Sequence, residues 1–140
     1  MYNNGVLALE DSIKAVLRQL GIIQTYKGHA YLVETVKYAY EDIEIDKVLY
    51  TAIAEKYSAK RESVYNDIRI CIRRAQRVNP AFLTTLIDSP TDYRLPLLRD
   101  FILSIVLWLK THHAILVYPG KNKIGKIEWI EKREPISIPE

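Results

Sequence analysis

The spacing of apolar positions predicts a chain built mainly of helices. In the first third of the sequence, apolar residues recur three and four positions apart, which is the repeat of one helical face. The first such face comprises Ile13, Val16, Leu17 and Leu20, and the second comprises Tyr31, Leu32, Thr35, Val36, Ala39 and Tyr40. Gly21 directly follows the first face, and glycine commonly ends a helix because it adopts the left-handed conformation easily. We therefore expect two helices before about residue 42.

Two more helices are predicted between residues 46 and 78, and the fourth helix carries the most regular pattern in the chain. The third helix, over residues 46–57, is expected to bury Val48, Leu49, Ala52 and Ile53. Ser58 is the expected N-cap of the fourth helix because its hydroxyl can accept a free amide of the first turn. The apolar stripe of the fourth helix comprises Val64, Ile68, Cys71, Ile72 and Ala75, and Asn79-Pro80 ends this helix.

The rest of the chain changes from helix to strand near residue 113. We expect a short helix over 81–87, a loop over 88–94, an apolar helix over 95–111, and two β-type runs over 114–118 and 124–130. The run Pro119-Gly120-Lys121-Asn122 is typical of a turn and predicts a hairpin. The expected fold is all-α, with six helices, a helix-turn-helix and a C-terminal β-hairpin. Its expected parts are an N-terminal tail (1–10), a helical domain (11–113) and the hairpin with an extended tail (114–140).

The link between the third and fourth helices is the feature that points to a function. Only residues 58–60 separate them, and so short a link makes two helices cross steeply, as in a helix-turn-helix. Such a unit needs a small residue where the helices touch and an apolar contact ten residues later, which Ala54 and Val64 supply. The spacing alone leaves two interpretations open, a DNA-binding unit and a helical hairpin with a solvated basic face.

The face of the fourth helix opposite its apolar stripe carries side chains that suit DNA. Arginine and asparagine make paired hydrogen bonds to guanine and adenine edges in the major groove, and the N-terminal turns of a recognition helix reach the bases. The candidate base-reading residues are Arg61, Ser63, Tyr65, Asn66 and Arg69. The candidate phosphate contacts are Lys56, Lys60, Arg73, Arg74 and Arg77.

Charge is distributed unevenly around this motif, although the net charge of the 140 residues is only +3. Residues 34–47 hold five acids and two lysines, whereas residues 55–77 hold seven basic residues and three acids. A basic helix beside an acidic region predicts a surface that faces a polyanion. A solvated helix with ion pairs between successive turns explains the charge alone equally well.

Three segments extend the interpretation from a motif to a family. They are GIIQTYKGHAYLVETVKYAYED, KVLYTAIAEKYSAKRESVYNDIRICIRRA and the helices that follow, and they resemble the C-terminal DNA-binding domain of the stage-zero A sporulation response regulator. The most specific positions are Tyr26-Lys27-Gly28, Tyr31-Leu32, Leu49-Tyr50, Ile53-Ala54, Val64 and Ile68-Arg69. The resemblance covers about residues 11–113. It implies a six-helix effector domain that binds short promoter sites, often as tandem copies on one duplex.

Three departures from the family limit what the resemblance implies. We find no phosphoacceptor receiver domain before the helical part, so we expect no control by phosphorylation within this chain. The family's base-reading positions hold a glutamate and arginines, whereas Ser63, Tyr65 and Asn66 stand here and only Arg69 of the polar set is kept. The residues from 114 onward resemble nothing in the family. We therefore expect the fold to carry over and the target sequence to differ.

Several other classes of protein do not fit the sequence. The single cysteine, Cys71, allows no disulfide within the chain, the first residues lack the pattern of a signal peptide, and the longest apolar run, 101–109, is too short to span a bilayer. We therefore expect a cytoplasmic protein. His112 and His113 are expected to form a surface pair at a helix end, where neighbouring side chains point apart. We expect no enzyme activity, cofactor, metal or small-molecule ligand.

The sequence supports two functional hypotheses. The first is sequence-specific binding of double-stranded DNA by a transcription regulator related to sporulation, acting as a homodimer or as tandem copies. The second is a protein-interaction module that kept the fold, lost base reading and modulates a full-length regulator. The hairpin leaves three roles open: a wing that brings Lys121, Lys123 and Lys126 to phosphates, an edge that pairs with a second copy, or a cover for the last helix.

Overall fold

Six helices and two strands make up the computed structural model of the chain, which describes residues 6–88, 95–118, 120 and 124–132. The elements are α1 (Leu9–Gln19), α2 (Lys27–Tyr40), α3 (Lys47–Lys56), α4 (Arg61–Val78), α5 (Pro80–Ile87), α6 (Leu98–Thr111), β1 (His112–Val117) and β2 (Lys126–Glu131). This confirms the predicted all-α fold with a C-terminal hairpin. The predicted loop beyond residue 88, most of the predicted turn at 119–122 and the tail beyond residue 132 lie outside the described residues.

The packing centres on α2 and α4. Helix α2 contacts α1, α3, α4 and α6, and α4 also contacts α3, α5 and α6. The apolar face predicted for α1 and the apolar stripe predicted for α4 have no exposed surface, which confirms both patterns. The face predicted for α2 is buried except at Tyr40, which is half-buried near the end of the helix. These faces form one continuous core.

Helices α2 and α4 approach most closely at Gly28. A Cβ atom at this position would overlap the main-chain carbonyl oxygen of Asp67 and lie 2.6 Å from the Sγ atom of Cys71. Such distances are far shorter than ordinary van der Waals contact, and a helix backbone cannot easily move away. The absence of a side chain at Gly28 therefore allows α2 to pack directly onto α4.

The first three helices end in the same way, with one residue in the left-handed conformation. These residues are Gly21 (φ 86°), Asp42 (φ 66°) and Ser58 (φ 53°). In each case the amide of the left-handed residue and the amide of the next residue donate to carbonyls in the last turn of the helix, which is the Schellman arrangement. The predicted role of Gly21 is thereby confirmed.

The predicted role of Ser58 is wrong, because this residue ends α3 instead of beginning α4. Its amide donates to the carbonyl of Glu55 (3.1 Å), and the amide of Ala59 donates to the carbonyl of Ala54 (2.8 Å). Lys60 occupies the N-cap position of α4, and no side chain caps that helix. A serine in the left-handed conformation ends α3 here, and the link to α4 is correspondingly tight.

Helix α3 buries a different face from the one that its sequence predicts. Leu49 and Ile53 are buried as expected, but Val48 is 75% exposed and Ala52 is also exposed. The buried face instead runs through Leu49, Tyr50, Ile53 and Ala54, which is the side of the helix turned toward α2 and α4. Successive residues on a helix differ by about 100° in direction, so Val48 falls outside that face.

Helix α6 begins three residues later than predicted. Pro96 disfavours the helical conformation at the residue before it, and Leu97 is extended (φ −65°, ψ 150°) as the N-cap of the helix. The first helical residue is therefore Leu98.

The C-terminal hairpin packs onto the helices instead of extending from them. Strands β1 and β2 pair antiparallel in the register His112↔Glu131 to Val117↔Lys126. The Trp129 ring meets the Trp108 ring of α6 edge to face, 5.7 Å between centroids, and its Nε1 donates to Oε1 of Gln19 (2.7 Å). On the other side of β1, Val6 forms a bridge with Ile115. In the described residues the hairpin thus packs against α6 at Trp108, while Leu103 and Leu107 of that helix stay exposed.

Candidate nucleic-acid interface

Helices α3 and α4 form the helix-turn-helix that the sequence predicts. Residues 57–60 link them, and Ala54 and Val64 lie buried at the helix contact, 3% and 0% exposed. The Oδ1 atom of Asp46 accepts the amide of Leu49 (3.1 Å) and caps the start of α3. Because both the start and the end of α3 are fixed, the direction in which α4 leaves the turn is fixed as well.

One face of α4 points into solvent along almost its whole length. We call it the outer face, and it comprises Glu62, Asn66, Arg69, Arg73 and Arg77, all exposed. These residues are spaced three or four positions apart, so they lie within one narrow arc directly opposite the buried stripe. Fifteen helical steps separate Glu62 from Arg77, so the outer face extends about 22 Å along the helix axis. It therefore presents a row of three guanidinium groups, one amide and one carboxylate.

Arg69 is held in place by two neighbours on α4. Its Nη1 donates to Oδ1 of Asn66 (3.4 Å), and its guanidinium lies 5.9 Å from the centre of the Tyr65 ring. Both contacts stay on the surface and leave further donors of the planar guanidinium free. Arg69 and Asn66 thus form a partly pre-ordered pair on the first half of the helix, where a recognition helix meets bases.

Tyr65 is not the freely exposed side chain that the sequence predicts. It is half-buried, and its ring meets the Tyr50 ring of α3 edge to face with centroids 4.9 Å apart. Its direction from the helix axis falls between the outer face and the buried stripe, which explains the intermediate burial. One side of Tyr65 contacts the core, and the other supports Arg69.

Two of the predicted basic contacts, Arg61 and Lys56, form hydrogen bonds to side chains of neighbouring helices. Nη1 of Arg61 donates to the hydroxyl of Thr51 on α3 (3.1 Å). Lys56 donates to both carboxylate oxygens of Glu34 (2.8 Å each), and this bond raises the pKa of Lys56. These two residues therefore brace α3 against α4 and α2.

Arg74 lies on the opposite flank of α4, beside the link between α1 and α2. Its Nε donates to the carbonyl of Gly21 (3.3 Å), and its guanidinium lies 5.6 Å from the centre of the Tyr26 ring. The remaining predicted phosphate contacts, Lys60, Arg73 and Arg77, are exposed, as is Ser63. The candidates therefore separate into an exposed set along the outer face and a flanking set with internal partners.

Sequence reasoning missed one residue of this surface, Thr51. Glu62, which the sequence places on the exposed face of the fourth helix, is exposed one turn before Asn66. Thr51 positions Arg61 and lies ten positions before it. No periodic pattern connects two residues on different helices, so this contact left no signal in the sequence.

The described residues hold no group of three metal-binding side chains. His112 is the C-cap of α6, and the pair His112 and His113 begins strand β1 with both side chains half-buried. The ring of His112 stacks on that of Trp108, with centroids 3.7 Å apart. Cys71 is a core residue, as predicted, and burial raises the pKa of its thiol to about 12. In the part of the chain that the structure describes, no helix is long and apolar enough to cross a membrane.

Comparison with known families agrees with this geometry. The family model described as Sporulation initiation factor Spo0A C terminal matches residues 13–106, which is more than half of the chain. The chain belongs to this family. The Spo0A C-terminal family consists of DNA-binding domains of sporulation transcription regulators and is not a family of enzymes. The match runs from α1 into α6, includes α3 and α4, and leaves the hairpin outside it.

Proposed function

We propose that this Spo0A C-terminal domain binds specific sites on double-stranded DNA and regulates transcription in the cytoplasm. The outer face of α4 is the observation that carries this proposal. It is a straight, exposed row of polar and basic side chains on the second helix of a helix-turn-helix. A protein helix of this kind fits the major groove of B-form DNA.

We assign the contacts with base edges to the first half of the outer face. Arg69 has the planar donor pair that matches O6 and N7 of guanine, and Asn66 has the amide that matches N6 and N7 of adenine. Ser63 is exposed beside them and can bond to several base edges. Tyr65 offers its accessible ring edge to a sugar or a thymine methyl. Arg61 reaches a base only by giving up its bond to Thr51.

We assign the contacts with phosphates to the start and the second half of the same helix. Arg73 and Arg77 are exposed along its second half, and Lys60 is exposed at its start. The first amides of α4 are not bonded by any capping side chain, and such amides suit a phosphate oxygen. Lys56 and Arg74 flank this surface and are secondary contacts, because each has a partner within the protein.

A second copy of the domain is part of this proposal. One recognition helix contacts only a few base pairs, so a site that is specific in a genome requires a homodimer or tandem copies on the same duplex.

A protein-interaction module is the second candidate function. The observation that favours it is the internal engagement of Arg61 and Tyr65, which leaves only Ser63, Asn66 and Arg69 of the base-reading candidates exposed. A domain with few base readers would bind DNA mainly through charge and would act by contacting a full-length regulator.

Selection of bound sites from a random pool of duplexes distinguishes the two functions. The winning duplex and a scrambled duplex are titrated by fluorescence anisotropy at low and at physiological salt. Specific binding predicts an affinity ratio of about 10³ or more that survives physiological salt. An unenriched pool, with binding that disappears at physiological salt, would contradict base reading and favour the interaction module.

A further inference from the structure

A pocket lies directly behind the base-reading half of α4. It is a partly open pocket of about 390 Å³, bordered by Ile45, α3, α4 and the residues 95–99 at the start of α6. This volume falls within the range of pockets that hold small organic ligands, about 300–1,000 Å³. The walls are mostly aliphatic and aromatic, with Ile45, Ile72 and the rings of Tyr50 and Tyr65 among them.

Tyr50 forms part of the pocket wall and is only 5% exposed. Its hydroxyl has less than 1 Å² of accessible surface, so the ring and not the hydroxyl faces the pocket. Burial raises the pKa of Tyr50 to about 12, so this wall stays uncharged.

The charged residues among the ten described residues that line the pocket are Arg69 and Arg99, and none of the ten is acidic. Two guanidinium groups beside an apolar wall suit a ligand that has an anionic head and an apolar body. A carboxylate fits such a head, since it makes charge-assisted hydrogen bonds to guanidinium groups.

We propose that this pocket binds a small carboxylic acid with an aromatic or branched aliphatic body. The carboxylate lies between Arg69 and Arg99, while the body packs against Ile45, Tyr65 and Ile72. Sequence patterns do not predict such a site, because its lining comes from three separate parts of the chain.

The ligand controls DNA binding through Arg69, a consequence that rests on the proposed function. A carboxylate bound to Arg69 competes with the guanine edge for the same donors. The acid therefore weakens specific DNA binding, and DNA weakens binding of the acid by the same factor, as linkage requires.

The binding site is tested first without DNA, so that its failure is separate from a failure of DNA recognition. The full 140-residue chain, labelled with ¹⁵N, is titrated with 3-phenylpropionate and 4-methylpentanoate, and separately with the primary amides of both acids. We expect at least one acid to cause saturable shifts at the amides of Tyr50, Tyr65, Arg69 and Ile72. The uncharged amide should bind about tenfold more weakly, since it lacks the charge-assisted bonds.

Two variants and one control complete the test. Arg69→Gln removes the pocket charge that lies on α4, and Arg99→Gln removes the pocket charge that lies outside α4. Each should weaken binding of the acid about tenfold. Arg73→Gln, an exposed change on α4 that does not line the pocket, should bind the acid normally. Absence of saturable shifts with both acids, equal affinity for acids and amides, or unchanged binding by both pocket variants would overturn the proposal.

The DNA step follows with the duplex obtained by site selection. We expect saturating acid to weaken specific binding by the wild-type chain and to have about tenfold less potency on Arg99→Gln. DNA affinity that stays constant at saturating acid would overturn the coupling and leave the binding site standing.

Discussion

The inner stripe and the outer face of α4 differ in burial, in polarity and in what they contact. The inner stripe of five apolar residues has no exposed surface and contacts the rest of the core. The outer face of Glu62, Asn66, Arg69, Arg73 and Arg77 is exposed, and only local contacts hold its side chains. A change on the inner face alters the packing of the whole domain, whereas a change on the outer face alters only what the helix binds.

This division explains how a domain of this family can keep its fold while the exposed residues of α4 change. Burial fixes the inner stripe, because a substitution there leaves a cavity or an overlap. No packing constraint acts on Ser63 or Asn66, so these positions are free to diverge. The comparison therefore predicts that stability and recognition can be changed independently on one helix.

The largest expected effect comes from a cavity on the inner face. Ile68→Ala removes a fully buried side chain and should lower the free energy of unfolding by about 2–5 kcal/mol. Urea denaturation measures this loss. The folded fraction should still prefer the same DNA site.

Ile70→Ala on the same helix is the matched control, because Ile70 is 46% exposed. It should change stability by only about 0.5 kcal/mol. Equal losses for the two isoleucines would break the distinction between the faces.

Gly28→Ala should produce the next largest effect, at the contact between α2 and the inner side of α4. The added methyl group overlaps the carbonyl of Asp67, so we expect a loss of about 1–3 kcal/mol in the free energy of unfolding. Adding Cys71→Ala relieves one of the two overlaps and should not restore stability, because the carbonyl remains. Full stability of the single variant would show that the helices can separate at little cost.

Arg69→Ala tests the outer face. This substitution should weaken the free energy of specific DNA binding by about 1–3 kcal/mol and relax the preference at one base position. The free energy of unfolding should not change. Site selection repeated with the variant measures the preference. A uniform loss on all duplexes would instead make Arg69 a phosphate contact.

Arg73→Ala should have a smaller effect of a different kind. We expect slightly weaker binding to every duplex, and a slope of log affinity against log salt that is lower by about one. Anisotropy titrations over a salt series give this slope. A changed base preference would assign Arg73 to base reading and enlarge the specific half of the outer face.

The smallest expected effect is a pH dependence on the inner side. His29 is buried on α2 next to Gly28, and burial lowers the pKa of its imidazole below the ordinary 6.5, with a further contribution from Lys14. The unfolded chain therefore binds a proton more readily than the folded one, so stability falls as pH drops through 6.5. Urea midpoints measured on both sides of pH 6.5 should show this fall, and His29→Asn should reduce it. An equal fall in the variant would assign it to other groups.

The sequence predicts those features that depend on a repeating pattern. The stripe of α4 follows the 3.6-residue period, and every member is buried. The exposure of Val48 was not predictable from that period, because a ten-residue helix can turn any of several apolar faces inward. The left-handed Ser58 was missed because serine normally begins helices.

The site was harder to predict than the fold, because its details come from contacts between distant parts of the chain. Arg69 and Asn66 follow from their positions on the helix, but the burial of Tyr65 depends on Tyr50 of another helix. The partner of Trp129 is Gln19, which lies 110 positions earlier. No local pattern encodes such pairs.

Strand β1 also gives the domain a mechanical property. On one side it receives Leu7, whose amide donates to the carbonyl of Ala114 (2.9 Å), and on the other it pairs with β2, after which Lys132 donates to Thr111 (2.8 Å). Val6 lies opposite Ile115, on the Val117 side of Leu7, and Lys132 lies past the opposite, His112 end of β1. Tension between Val6 and Lys132 would load these hydrogen bonds together in shear, instead of breaking them one at a time. The domain should therefore resist pulling along the chain much better than peeling of the hairpin from its turn.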